Sequence, residues 1–273
     1  MGKNLMGYLS QWGVGVGELE TFYLGGGTPS LWGEFGPTFL KNFFEEFGLK
    51  LSASGEHTLE INPLRFKESN LKNWQDLGIN RYSVGVQSMN QQLLKILDRD
   101  HRFEDVHRTL SLLQEQKANF SVDLMIGLPD PGQGKKRQIS QEIETLFSYD
   151  PAHFSVYMLT AKKNYPFVSN LPTAEATADE YLQVVEILEK AGYRQYEVSN
   201  FAKIDRESKH NIAYWNWDSM LALGPSATGN IFAPKLDLNV AAVRYKWKTQ
   251  SNSCDFEYLA QSELAMEWPY LRL

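Results

Sequence analysis

A chain of 273 residues with 42% apolar and 13% aromatic content can bury a large core, as one big domain or two modest ones. The formal net charge of −6 argues against a polyanion-binding surface, and no basic run exceeds Lys135-Lys136-Arg137, so nucleic acid is not expected as a partner. No stretch approaches the apolar length of a transmembrane segment, and the N-terminus lacks the apolar core of a signal peptide, so the expected location is cytoplasmic.

In chain order, Thr21 to Leu24 reads as a short strand that runs into Gly25-Gly26-Gly27-Thr28. The stretch after it carries Phe39, Leu40, Phe43, Phe44 and Phe47 at helical spacing, with Pro37 near the start and Gly48 as the stop. His57 to Pro63 is a second strand. Leu71, Trp74 and Leu77 then share one helical face that ends at Gly78. Arg81 to Ser88 is a third strand, Val106 to Gln116 a helix, Phe120 to Pro129 a fourth strand, Gln138 to Phe147 a helix and His153 to Thr160 a fifth strand. Ala176 to Lys190 forms a helix closed by Gly192, and RQYEVSNF (194–201) reads as one further strand. Strands alternating with helices imply βα units and a mostly parallel sheet, as a barrel or a doubly wound sheet. From about Lys209 the alternation is lost and Trp, Tyr and Asn become frequent, so a boundary is expected near residue 206, with 1–205 as the α/β domain and 206–273 as a second region.

Parallel α/β folds place ligands at the carboxyl ends of their strands. Side chains alternate with period two, so Glu60 and Asn62 share a face, as do Gly85 and Gln87. A buried parallel strand should be an almost continuous apolar run, and Glu60, Gln87 and Asp123 each interrupt one. Burying such a group unpaired costs roughly 2 kcal/mol or more, so the three either bond to one another and to loop amides or meet a ligand. The glycines serve as a loose turn or let a ligand lie against the main chain. They are neither a Walker loop nor a dinucleotide fingerprint.

YLGGGTPSLW, LEINP, GINRYSVGVQSMNQQLLKILDRDH, VDLMIGLPDP and FSVYMLT together resemble radical S-adenosylmethionine (SAM) proteins related to oxygen-independent coproporphyrinogen III oxidase, over nearly the whole chain. The resemblance implies a partial, TIM-like (β/α) barrel with SAM bound across the strand ends. Carried over by position, the SAM contacts fall on Gly26, Gly27, Thr28, Glu60, Gln87, Arg99 and Asp123. Arg99 can form a bidentate pair with the methionine carboxylate, and Glu60 or Asp123 can accept from ribose hydroxyls or the amino group. Within this family, HNIAYW (210–215) is similar to the stretch characteristic of the heme chaperone (HemW) branch, which favours that branch; the alternatives are the oxidase itself, an enzyme of porphyrin biosynthesis that removes carbon dioxide and hydrogen from coproporphyrinogen propionates, and an inactive fragment. That branch implies heme or porphyrin as a partner, together with a heme-accepting protein. His210 is the candidate axial ligand, beside Tyr214, Trp215 and Trp217; the alternative is that His210 and Asn211 cap a turn under an aromatic cluster.

The family's 4Fe-4S cluster is held by a Cys-x-x-x-Cys-x-x-Cys loop ahead of the glycine stretch, and this chain has one cysteine, Cys254. One thiol excludes an internal disulfide and a thiolate cluster built from this chain alone. The resemblance therefore implies a domain truncated at both ends and lacking its first strand, or a degenerate homologue, with weak SAM binding and no radical chemistry from this chain. An edge left unpaired beside TFYL would favour self-association.

Overall fold

Leu5, Leu9 and Trp12 fall on one helical stripe, and in the computed structural model the chain begins with helix α1 (Gly2–Gln11). The structure describes residues 1–130, 137–162, 164–232, 234–236 and 239–271, without the side chains of 267–271; Lys135 and Lys136 of the basic run and Pro131 of VDLMIGLPDP lie outside the described residues. Strand β1 (Glu18–Leu24) leads through the glycine turn to a 3₁₀ turn (Pro29–Trp32) and α2 (Phe35–Phe47). There follow β2 (Lys50–Ile61), α3 (Glu68–Leu77), β3 (Arg81–Gln87), α4 (Gln91–Ile96), α5 (Phe103–Glu115), β4 (Asn119–Ile126), α6 (Ile139–Phe147) and β5 (His153–Met158). A 3₁₀ turn (Val168–Asn170) precedes α7 (Ala174–Lys190), β6 (Arg194–Gln195), β7 (Asn200–Ala202) and α8 (Lys209–Trp215). The chain continues with β8 (Thr228–Phe232), β9 (Ala242–Trp247), β10 (Cys254–Leu259) and α9 (Gln261–Leu271).

Two compact units are formed: unit 1 from Met1–Thr21, Leu40–Gly55 and Ser208–Leu273, unit 2 from Phe22–Phe39 and Glu56–Glu207. The larger sheet has the order β1-β2-β3-β4-β5-β7-β6. β2, β3, β4 and β5 pair in parallel, and β7 adds to β5 antiparallel. From β1 to β5 the strands neighbour in the order in which they occur, which distinguishes this α/β sheet from a doubly wound one and gives it the progression of an open (β/α) barrel; β7 and β6 then close the row as an antiparallel pair in reversed order. In unit 2 one face of each central strand is closed: Leu59, Ile61, Val84, Val86, Val122, Leu124 and Ile126 are buried, as are Leu71 and Trp74 of α3, Val106, Leu110 and Leu113 of α5, and Ile143 and Leu146 of α6. In unit 1, β8, β9 and β10 form an antiparallel sheet whose Ile231, Val243, Tyr245 and Trp247 cluster with Leu5, Leu9 and Trp12. Among the described residues no helix is long and apolar enough to cross a membrane.

Two local expectations are corrected and one helix is added. β2 begins at Lys50, seven residues ahead of His57, and this added part escapes a search for apolar alternation because its buried positions are Ser52, Gly55 and Glu56. RQYEVSNF is an antiparallel pair, β6 with β7, since Glu197 Oε1 accepts from the Ser199 amide at 2.8 Å and bends the backbone. α4 was not legible: six residues are too few for a periodic stripe, and its start is set by Asn90, whose side chain accepts from the amides of Gln92 and Leu93.

Candidate functional site

Three successive residues, Gly26, Gly27 and Thr28, have φ of 74°, 59° and 60°, and this left-handed run turns the chain out of β1. Glycine adopts that region without strain; Thr28 pays for its β-branch and then starts the 3₁₀ turn. Gly25 is glycine for another reason: a Cβ there would lie 2.7 Å from the Tyr23 ring and 2.8 Å from Glu60 Oε1. A Cβ on Gly26 or Gly27 would meet nothing within 4 Å, so the turn's outer face is open.

Glu60 secures the turn. Its Oε2 accepts from the Gly26 amide at 2.8 Å and its Oε1 from the Tyr23 hydroxyl at 3.0 Å. Burial first, then the charges of Glu60 and Asp123, push the Tyr23 phenol far above its ordinary value, so it stays a donor. Along the sheet, register places Glu60 beside Ser83, Ser83 beside Ser121, and Ser121 beside His153. One step further along the strands, Gly85 stands beside Asp123, Asp123 beside Ser155, and Ser155 beside Asn200. In-register neighbours face the same way, so these two rows share the sheet face that carries Glu60 and Asp123.

The Ser83 hydroxyl lies 3.1 and 2.9 Å from the two Asp123 oxygens, and Ser121 donates to Ser83 at 3.1 Å. Asp123 nonetheless has its carboxyl raised to about 6: burial dominates, opposed by Ser83, Arg81 and Ser155 and reinforced by Glu60. Tyr157, beside Met125 in the register, is pushed up to about 12 by burial and then by Asp123. His153 is held neutral by burial and by Arg81, with Nε2 2.7 Å from the Tyr196 hydroxyl. Arg81 itself pairs with Glu56 at 3.7 Å.

Gln87 does not follow simple alternation. A bulge between Gly85 and Gln87 sets Gln87 opposite Leu124, and its φ is 66°. Its Nε2 would lie 3.0 Å from a Cβ on Gly85, so the missing side chain there leaves the room the amide occupies. Glu60, Gln87, Asp123 and the glycine turn are thus brought together, whereas Arg99 lies exposed past the end of α4, off the strand row. Asn62 is used locally, its Oδ1 accepting from Leu64 N at 2.9 Å. Tyr23, Ser83, Ser121 and Ser155 were missed by sequence reasoning, although the alternation that singled out Asp123 also puts Ser83 and Ser121 on polar positions of parallel strands.

His210 lies in unit 1, in the first turn of α8, half-buried with Nδ1 3.1 Å from the Thr21 hydroxyl. Ser208 caps this helix by accepting from the Asn211 amide at 3.4 Å. Tyr214 is exposed, and Trp217 packs on Phe232 with ring centroids 5.3 Å apart.

The mouth at the strand ends of unit 2 presents open main chain, two carboxylates and a side-chain amide, acceptors and donors suited to the amino group and hydroxyls of a small polar ligand, whereas among the described residues no cationic side chain is placed with them to meet a ligand carboxylate. A cluster of the kind that takes three thiolates does not fit this chain, which has one cysteine. Cys254 lies half-buried in β10, and among the described residues no three His, Cys, Asp or Glu side chains are grouped to hold a metal ion.

Residues 8–133 match the Radical SAM superfamily. A heme chaperone HemW of Buchnera aphidicola subsp. Schizaphis graminum is 32% identical over 219 residues, 78% of this chain and 57% of that protein. The heme chaperone HemW of Bacillus subtilis is 34% identical over 240 residues, 85% of this chain and 62% of that protein. The chain therefore spans about three-fifths of the length of these relatives. Among solved structures, coproporphyrinogen III oxidase of Escherichia coli, described as a radical SAM enzyme, superposes with a TM-score of 0.70 at 18% identity, covering 91% of this chain and 60% of that one. That likeness speaks for the fold.

Proposed function

Because the chain belongs to the radical SAM superfamily, we propose that it is the SAM-binding part of a HemW-type heme chaperone that works in the cytoplasm and hands heme to an accepting protein. The main chain of Gly26, Gly27 and Thr28 takes the ligand's flank at the open turn. Asp123 and Glu60 accept from its amino group or ribose hydroxyls, and Gln87 supplies a neutral amide between them. Arg99 pairs with the methionine carboxylate, which requires its exposed side chain to fold over the mouth. SAM in the family supplies radical chemistry through a 4Fe-4S cluster, whose three thiolates this chain does not supply. Heme is taken by His210, whose ring is oriented by the Nδ1 contact with the Thr21 hydroxyl.

The observation that carries this reading is the alignment of curated heme chaperones over about four-fifths of the chain, with HNIAYW inside it. Hemin titration of the chain and of His210→Ala, followed by the Soret band, tests it. The expected result is saturable binding at one site, weakened about tenfold or more in the variant, consistent with loss of an axial bond. Equal affinity in both proteins removes His210 from the reading, and no saturable binding in either removes heme. A parallel SAM titration followed by NMR should give weak binding that Asp123→Asn weakens further.

A further inference from the structure

Beside the two strand rows, unit 2 buries a second set of charges that the proposed binding role does not use. Arg137, just ahead of α6, makes a two-pronged contact with Glu142, Nε to Oε1 at 2.7 Å and Nη2 to Oε2 at 3.1 Å, and both side chains are 9% exposed. The same guanidinium donates through Nη1 to the Met125 carbonyl at 2.6 Å and lies 3.3 Å from Glu180 Oε1 of α7. Glu142 Oε2 accepts from the Ser88 hydroxyl and the Met89 amide, each at 2.7 Å. Glu180 Oε2 accepts from the Gly127 amide at 2.8 Å. One cation faces two carboxylates, and the excess negative charge is met by two main-chain amides and a hydroxyl.

A buried ion cluster of this kind is a poor source of stability, because desolvation offsets most of the attraction. Its geometry suggests another use. Every anchored group sits at a strand end: Ser88 and Met89 directly follow Gln87, and Met125 and Gly127 flank the last residue of β4. Gln87 is the centre of a three-residue turn closed by Ser88 N on the Val86 carbonyl at 2.8 Å, with φ of 66°. A γ-turn with positive φ at its centre is the rare, strained form, which persists where the surroundings hold it. Glu142 grips the two residues that follow.

We propose that Arg137, Glu142 and Glu180 are positioning residues for the strand-end mouth: they hold the strained turn that presents the Gln87 amide and set the end of β4 beside it. As a statement about binding, this rests on the mouth being the SAM site. The test is a double-mutant cycle on the full chain, with SAM affinity read by NMR titration and melting temperature read alongside. Glu142→Gln should weaken SAM about tenfold, Gln87→Ala by a similar factor, and the double variant no more than about twofold beyond Gln87→Ala, because both changes remove one contribution. A merely structural role for Glu142 predicts losses that multiply; that result, or an unchanged affinity in folded Glu142→Gln, overturns the proposal. Arg137→Lys and Glu180→Gln carry the same comparison if Glu142→Gln fails to fold. Should the parent chain show no SAM binding, the reading of the mouth fails, and the clamp is judged on the free protein. There the Gln87 side-chain amide resonance and the exchange rate of the Met89 amide must both change in Glu142→Gln, and their constancy overturns it.

Discussion

Asp123 has the single Ser83 hydroxyl proton shared between its two oxygens and still has its carboxyl raised to about 6 from an ordinary 3.8, because burial outweighs that bond. Between those two values the unfolded chain releases the proton while the folded chain retains it, so folding loses stability as pH rises through this window and regains it as pH falls. The gap corresponds to at most about 3 kcal/mol above pH 6. Asp123→Asn should therefore stabilise the protein at pH 8 by about 1–3 kcal/mol, and by much less at pH 4, in urea unfolding. An equal effect at both values would mean that the carboxylate is not strained by its site. His153 acts in the opposite sense, losing stability as pH falls below 6.5, so the comparison is variant against parent at each pH. Asp123 could be singled out in the sequence because a carboxylate in a parallel strand breaks an apolar run. Its partner Ser83 could not: period two assigns a serine to a face, and only strand pairing across 40 positions decides which carboxylate it meets.

The glycine turn shows what an element's sequence conceals. Three adjacent glycines look equivalent, yet Gly26 and Gly27 satisfy a left-handed backbone and Gly25 a close approach to Tyr23 and Glu60. Gly27→Ala should cost about 1 kcal/mol, the strain of an L residue at that φ, and leave the Glu60 contacts in place. Gly25→Ala should cost more, about 2–3 kcal/mol, by driving Glu60 away from the Gly26 amide and the Tyr23 hydroxyl. Thermal unfolding of the two variants, with the Gly26 amide resonance as the local reporter, distinguishes them; equal losses would mean that the two positions serve one purpose. The alternation of strands and long helices was legible because stripes such as Leu71 and Trp74 repeat over several turns. The β6–β7 hairpin was not, since a single side-chain bond from Glu197 to the Ser199 amide divides what reads as one strand.

For the whole molecule, the thiol count governs what the chain holds by itself. Anaerobic reconstitution with iron and sulfide should give no stoichiometric iron-sulfur absorption, because one thiolate cannot replace three. A full cluster on the isolated chain would show that non-cysteine ligands suffice. Amino-acid order alone determined the βα alternation, the open glycine turn, the strand faces that carry Glu60 and Asp123, and this thiol deficit, because each depends on residues near one another in the chain or on composition. Tertiary structure decided the rest: the strained turn at Gln87, the grip of Arg137 on two strand ends through Glu142 and Glu180, and the packing of α1 on a sheet made more than 200 residues later. Local periodicity says which way a side chain points, whereas the partner it reaches is chosen by strand register and by helices brought from distant parts of the chain.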